Sequence, residues 1–470
     1  MTQRLHDDSL TLTAAQCQQA RLSRDPRFDG RFFIGVTTTG IYCRPICPAV
    51  LPRESHVHYY GSAVAAASAG YRPCLRCRPD SAPESPAWRG SQTTFTRALQ
   101  LIDQGALQHQ KLPELCDRLG VGERYLRQLF QRRFGVSPKR YALYRQCLFA
   151  KQLLHQSTLP VTDVALASGF SSLRRFNDAF KRHIGLTPSE IRRQRAPKPG
   201  PLTLRLAYRP PYEWSRLRHF FALHLTHGIE WIGDDHYGRT IRWGETTGSF
   251  TACHDARHHR FDVSLALDRL DQLNAIVRQI RQLLDLDADT TIIETHLGNA
   301  YPGLALTPGL RLPGSWGIFE AGIRAVLGQQ VSIAAANRLT QRLVDTLGER
   351  DAQGRVRFPT PAAIAGSDLA FLGMPASRRD TLGRLANAYV TGEIGDDPAS
   401  WTQLKGIGPW TADVAAFRGA GHPDIWLASD LGIKRALKRL DHAALNEDTS
   451  AERASPWRSY LTLQLWNHIL

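Results

Sequence analysis

Long apolar runs are missing from this chain. No window of its 470 residues approaches the ~20 apolar residues needed to cross a bilayer, which excludes a membrane-spanning helix. The first ten residues, MTQRLHDDSL, carry acids and no apolar stretch. A secretory signal is therefore not expected, and the cytoplasm is the expected compartment. Low-complexity tracts are absent as well. Acidic charge is in short supply: 43 Asp and Glu stand against 59 Lys and Arg, for a net charge of +16 and a pI of about 9.8. A protein this basic usually meets a polyanion, and nucleic acid is the first expectation. A solvated basic surface with no partner is the competing reading; the clustering of Arg and Lys around motifs weighs against it. Cysteine is scarce, at eight residues. Four of these, Cys17, Cys116, Cys147 and Cys253, are scattered and read as packing residues.

The other four fall in one short stretch. Cys43 and Cys47 make C-x3-C in GIYCRPICP, and Cys74 and Cys77 make C-x2-C in RPCLRCRP. Four thiolates at these spacings can close a tetrahedral zinc site, and in a reducing compartment they read as ligands rather than disulfides. Arg44, Arg72, Arg76 and Arg78 flank them. Cations beside a thiol stabilise its thiolate and also attract phosphate. On spacing alone, an inert knuckle that only holds a small domain together is the better reading.

Composition divides the rest. A loop-rich stretch at 81–92 closes the cysteine segment, and RAPKPGP (195–201) is a linker. Between them lies a polar, helix-patterned region with an internal repeat. LTLRLAY (202–208) alternates with period two and predicts a strand. From about 290 onward, 3.6-residue periodicity dominates, as in 319–344. The expected architecture is multidomain and mainly α. It comprises a small α+β zinc domain (1–82), an all-α double helix-turn-helix domain (90–195), an α+β domain (203–288) and an all-α helix-hairpin-helix domain (289–470).

The cysteine segment resembles a known family. TTTGIYCRPICPA, RESHVHYY and AGYRPCLRCRP are similar to the N-terminal domain of Ada-type methyl phosphotriester repair proteins, over roughly 25–80. The resemblance implies that Cys43 is both zinc ligand and methyl acceptor, with Cys47, Cys74 and Cys77 completing a Zn2+ site. Self-methylation would take the cluster from a net charge of about −2 to −1. At about 7 Å from a phosphate and an effective dielectric near 20, that is about 2 kcal/mol, or roughly thirtyfold in DNA affinity.

The repeat consists of LPELCDRLGVGERYLRQLFQRRFGVSP (112–138) and VTDVALASGFSSLRRFNDAFKRHIGLTP (161–188). Each has an apolar helix, a glycine turn and a second helix with Arg or Lys on one face. A single unit reads equally well as a helical bundle with solvated arginines. Two units together resemble the AraC-type DNA-binding domain over 95–195. That resemblance implies recognition helices near 122–133 and 171–183, with Arg124, Arg127, Gln128, Arg174, Arg175 and Lys181 as candidate contacts. Which of these reach bases and which reach phosphates is open.

LKGIGPWTADVAAF (404–417) places a Gly406-Ile407-Gly408 turn before a helix, and Asp430 follows about twenty residues on. Backbone amides at such a turn can hold a phosphate without reading sequence. With RPPYEWSRLRHFFALH, GIFEAGIRAVLGQQVS and PWRSYLTLQLW, the stretch from about 203 resembles the 3-methyladenine DNA glycosylase II (AlkA) family. The resemblance implies excision of N-alkylated purines flipped into an aromatic pocket. Asp430 would be catalytic, Trp410, Trp466 and Phe220 would line the pocket, and Gln330 would stand where some relatives carry an apolar wedge. Capping the helix that begins at Leu431 is the plainer role for Asp430, and the two roles are compatible. Trp410 occupies the place of the lysine nucleophile of bifunctional relatives, so a glycosylase without lyase activity is expected. No PCHR-type motif is present, so the cysteine methyltransferase for O6-methylguanine is not expected.

Three readings follow. One is a fused alkylation-response protein: sensor, transcription factor and glycosylase. A second is a regulator with a structural zinc site and an inactive glycosylase-like tail. A third is a repair enzyme that its first domains merely localise. Cys43 and Asp430 together favour the first. Its expected partners are double-stranded DNA, both alkylated sites and an operator, and RNA polymerase. Action as a monomer at the nucleoid is the accompanying expectation.

Overall fold

The structure is a computed structural model. It describes residues 12–25, 28, 31–47, 49–61, 65–66, 69–74, 77, 94–95, 97–99, 101–103, 105–194, 201–351, 353–440 and 448–468. Arg76, Arg78, the linker at 195–200 and the stretch at 81–92 lie outside the described residues. The chain forms two compact units, Met1–Ala142 and Leu143–Leu470.

In the first unit, Thr13 caps α1 (Ala14–Ser23) with a capping box closed by Gln16. A four-stranded sheet of order β3-β1-β2-β4 follows, from β1 (Phe33–Val36), β2 (Ile41–Cys43), β3 (Val57–Tyr60) and β4 (Arg72–Pro73). The alternation of β-branched and aromatic residues up to Cys43 predicts one strand leading into a metal knuckle over 28–49. These residues form a β1–β2 hairpin instead, with Gly40 left-handed at φ 61° in its turn. β4 then pairs parallel to β2, Ile41 opposite Arg72, which carries Cys74 back beside Cys43. Helices α2 (Ala106–His109), α3 (Leu112–Leu119) and α4 (Glu123–Phe134) follow. Gly120, at φ 64°, makes the turn between α3 and α4. Phe95, Ile102, Leu115, Leu126 and Phe130 form their core.

A long helix, α5 (Pro138–Gln156), follows. In the second unit come α6 (Val161–Ala167), α7 (Leu173–Ile184) and α8 (Pro188–Gln194). Phe176 and Phe180, four residues apart, bury one face of α7 and leave its arginines outside. A five-stranded antiparallel sheet of order β5-β9-β8-β7-β6 comes next. Its strands are β5 (Leu202–Ala207), β6 (Glu230–Ile232), β7 (His236–Trp243), β8 (Thr246–Asp255) and β9 (Arg260–Leu267). Helices α9 (Trp214–Leu223) and α10 (Leu273–Leu283) pack into its core.

The remainder is helical: α11 (Thr290–Ala300), α12 (Gly317–Leu327), α13 (Ile333–Leu347), α14 (Pro361–Ala365), α15 (Ala376–Thr391), α16 (Pro409–Gly419), α17 (Leu431–Leu440) and α18 (Arg458–Asn467). The exception is a short hairpin of β10 (Glu349–Arg350) and β11 (Val356–Arg357). The 3.6-residue pattern running through 319–344 is broken in the structure between α12 and α13. Gln330 there takes a left-handed φ of 55°.

A buried ion network joins the sheet to α12. Arg239 donates to Glu320 at 2.7 Å, Arg324 reaches Glu320 at 2.9 Å and Glu230 at 3.2 Å, and Tyr237 donates to Glu230 at 2.9 Å. Every charge has a partner of opposite sign, which is what allows their burial.

Candidate functional site

The metal-binding residues come together as the spacing predicted. The sulfurs of Cys43, Cys47, Cys74 and Cys77 all lie within 4.8 Å of one another, and Cys47 and Cys74 are 4.0 Å apart. A tetrahedral zinc with ~2.3 Å bonds sets its sulfurs roughly 3.8 Å apart, so the donor set fits the ion. Among the described residues no other group of His, Cys, Asp or Glu has this geometry. The four thiols constrain one another. A hydrogen bond shared with Cys43 holds the Cys77 thiol down at about 6, and the same bond together with burial pushes Cys43 well up. The four differ in exposure: Cys43 is only half-buried, and the other three are buried. Cys77 also accepts the Arg44 backbone N–H at 3.4 Å, which draws electron density from that sulfur. The Arg44 guanidinium donates to the Cys77 carbonyl at 3.1 Å, so it braces the metal loop. Arg72 is exposed on β4.

Both second helices of the repeat present their basic residues to solvent. Arg124, Arg127 and Gln128 are exposed on α4, and Arg174, Arg175 and Lys181 on α7. Arg127 pairs with Glu123 at 2.7 Å, one turn away; such an exposed pair is weak and exchanges readily for a phosphate.

The hairpin before α16 is tightly built. Gly406 has φ 97°, and a Cβ there would collide with Thr381 Oγ1. Ile407 is 4% exposed, and its N–H donates to the Leu404 carbonyl at 3.0 Å. Its part in the turn is therefore packing, and outward-facing amides have to come from its neighbours. Gly408 is the N-cap of α16. A residue that the motif did not single out ties this turn to the α12–α13 loop: Gln329 donates to the Gly406 carbonyl at 3.2 Å and to Thr411 Oγ1 at 3.0 Å. Gln330, next to it, is exposed.

Asp430 immediately precedes α17. Its Oδ1 accepts three N–H groups: Gly432 at 2.9 Å, Ile433 at 3.2 Å and the Trp466 indole at 3.0 Å. The first two are capping bonds. Trp466 meets Phe417 edge-on at 5.4 Å and stacks with Phe220 at 6.2 Å. Trp410 packs into the same cluster as Trp466. Behind Phe220 lie two residues that sequence patterns did not mark. His224 stacks on the ring at 4.3 Å, and the Arg418 guanidinium sits 5.0 Å from its centroid. Burial, together with the Arg418 charge, drops His224 to about 3, so it is neutral.

Four family models match the chain in order. They are the metal binding domain of Ada (16–80), a helix-turn-helix domain (115–194), the AlkA N-terminal domain (203–317) and the HhH-GPD superfamily of base excision DNA repair proteins (323–459). A probable bifunctional transcriptional activator/DNA repair enzyme AlkA of Mycobacterium tuberculosis is 36% identical over 98% of this chain and 97% of its own length. The chain belongs to that family. The DNA-3-methyladenine glycosylase 2 of Escherichia coli is 36% identical over 56% of this chain and 95% of its own. The bifunctional activator/repair enzyme Ada of the same organism is 32% identical over 38% of this chain and 49% of its own. As an Ada–AlkA fusion, the chain carries a zinc-binding domain, DNA-binding helices and a glycosylase fold. Among its described residues no helix is long and apolar enough to cross a membrane.

Proposed function

We propose that this protein senses and repairs alkylated DNA, with excision chemistry centred on Asp430. The triple N–H clamp on Asp430 Oδ1 carries this reading, because it fixes the carboxylate while Oδ2 takes no bond from the described residues. An N-alkylated purine is cationic and is already a good leaving group. Its glycosidic bond breaks with the electron pair going to the base. Positive charge then develops on the sugar, where the fixed carboxylate stabilises it. Water adds at that carbon and loses a proton, and the neutral modified base departs. Trp410, Trp466 and Phe220 would hold the flipped base, Gln330 would fill the gap it leaves, and amides around Gly406 and Gly408 would grip the backbone. With Trp410 in place of a lysine, the product is an abasic site without strand cleavage. Release of methylated base from alkylated duplex by the intact chain, lost in Asp430→Asn, supports the reading. Borohydride trapping of a protein–DNA adduct would refute the monofunctional part.

For the cysteine cluster we propose methyl transfer from DNA phosphotriesters to Cys43, the half-buried sulfur of the four. Bound zinc would keep the thiolates deprotonated at neutral pH. The Cys43 sulfur attacks the methyl carbon, the C–O bond breaks, and the phosphate leaves as an ordinary diester. The cluster loses one negative charge and DNA binding tightens. Arg72, α4 and α7 then hold an operator and RNA polymerase is recruited, the two helix-turn-helix units letting one chain act as a monomer. Its place of work is the chromosome. Equal operator affinity of methylated and unmethylated protein at fixed salt would sink the switch.

A further inference from the structure

The second helix-turn-helix unit meets the glycosylase half by more than the linker. β5 is an edge strand, and Arg205 on it turns its backbone groups away from the sheet. Gln156 Oε1 accepts the Arg205 N–H at 2.7 Å, and Gln152 Nε2 donates to the Arg205 carbonyl at 3.3 Å. Gln152 and Gln156 are one turn apart on α5, so together they copy the two-bond step of an antiparallel ladder. One continuous buried cluster runs through Leu153 and Leu154 of α5, Phe176 and Phe180 of α7, and Leu204 and Leu206 of β5. Arg192 of α8 donates to the Leu159 carbonyl at 2.5 Å and to that of Ser157. The buried ion network then fixes the sheet to α12, and α12 packs along α16. Each joint from α7 to the Asp430 region is a packed or fully paired contact.

We infer that a DNA site held by α7 sets where on the duplex the glycosylase works, so that base excision is directed to lesions at a fixed distance and helical phase from that site. This rests on the reading of the Asp430 half as a working glycosylase. The cleft between α5 and β5, lined by Lys151, His155 and Arg205 without a carboxylate, offers phosphates a path between the two. Over a few tens of base pairs the duplex is stiff, with a persistence length of about 150 bp. A lesion therefore faces the enzyme once per helical turn of about 10.5 bp.

The test uses the full chain. Its preferred site is selected from a random-sequence duplex pool. Duplexes then carry that site and a single 7-methylguanine at stepped separations, and single-turnover release is measured. The expected profile oscillates several-fold with a period near 10.5 bp. Gln152→Ala with Gln156→Ala, which removes both bonds to Arg205 and adds no charge to the cleft, should flatten it, while release from site-free duplex, which reports intact folding, stays unchanged. A flat wild-type profile, or an oscillation that survives in the variant, overturns the inference. No release from any duplex, bulk alkylated DNA included, overturns the glycosylase reading and this inference with it.

Discussion

At the scale of single residues, the catalytic role proposed for Asp430 is compatible with its capping bonds, because those fall on Oδ1 and leave Oδ2 without a bond from the described residues. Asp430→Asn keeps a capping oxygen, so its stability should change by less than about 1 kcal/mol. Base release should fall at least about a hundredfold. Urea unfolding beside single-turnover excision separates the two. Trp466→Phe keeps an aromatic ring against Phe220 but removes one donor to Asp430. A lost hydrogen bond to a charged group is worth about 1.5–3 kcal/mol, so excision should fall roughly tenfold or more with DNA binding intact. Asp285 makes a pH prediction. Burial raises its carboxyl to about 7, while Leu312 N–H and the Tyr460 hydroxyl donate to it, each at 2.9 Å. The folded state thus holds this proton more tightly than the unfolded one. The stability so gained is present below about pH 4 and is lost as pH rises to about 7. Asp285→Asn should therefore be less destabilised than wild type between pH 4.5 and 8, as read by urea midpoints.

At the scale of elements, the hairpin and the loop between α12 and α13 act together through Gln329. Gly406→Ala would place a Cβ at positive φ and against Thr381, which should cost about 2 kcal/mol or more and weaken binding to any duplex, lesioned or not. Gel-shift titration and thermal melting check both halves of that statement. The hairpin was legible in the sequence because glycine and proline are chemically forced at a tight turn ahead of a helix. The break at Gly328–Ser332 was not legible, since apolar periodicity continues on either side of the left-handed Gln330. Cys43 to Cys77 were legible from spacing alone. The difference in exposure that marks Cys43 arises only once β4 pairs beside β2. Of the candidate DNA contacts, the exposed face of α7 followed from Phe176 and Phe180 on its other side, whereas the inward-turned Ile407 followed from no local pattern.

At the scale of the whole molecule, the ion network of Glu230, Arg239, Glu320 and Arg324 was hidden in sequence. Its members lie up to 94 positions apart and look like ordinary surface charges until β6, β7 and α12 meet. Glu320→Gln leaves Arg239 buried beside an incomplete partner set and should destabilise the second unit by about 3–5 kcal/mol, measured by denaturant unfolding. Chelation tests the other unit. Removing zinc should unfold the β1–β4 domain, which has only small apolar clusters of its own. Base release from site-free duplex should persist, because Asp430 belongs to a different compact unit.

The two glutamines on Arg205 also guard against aggregation. An edge strand with both backbone groups open is a template for another copy of itself, and LTLRLA has the alternating apolar character that such pairing favours. A fragment starting at residue 202 would expose that edge. It should associate through β5 at concentrations where the full chain stays dispersed.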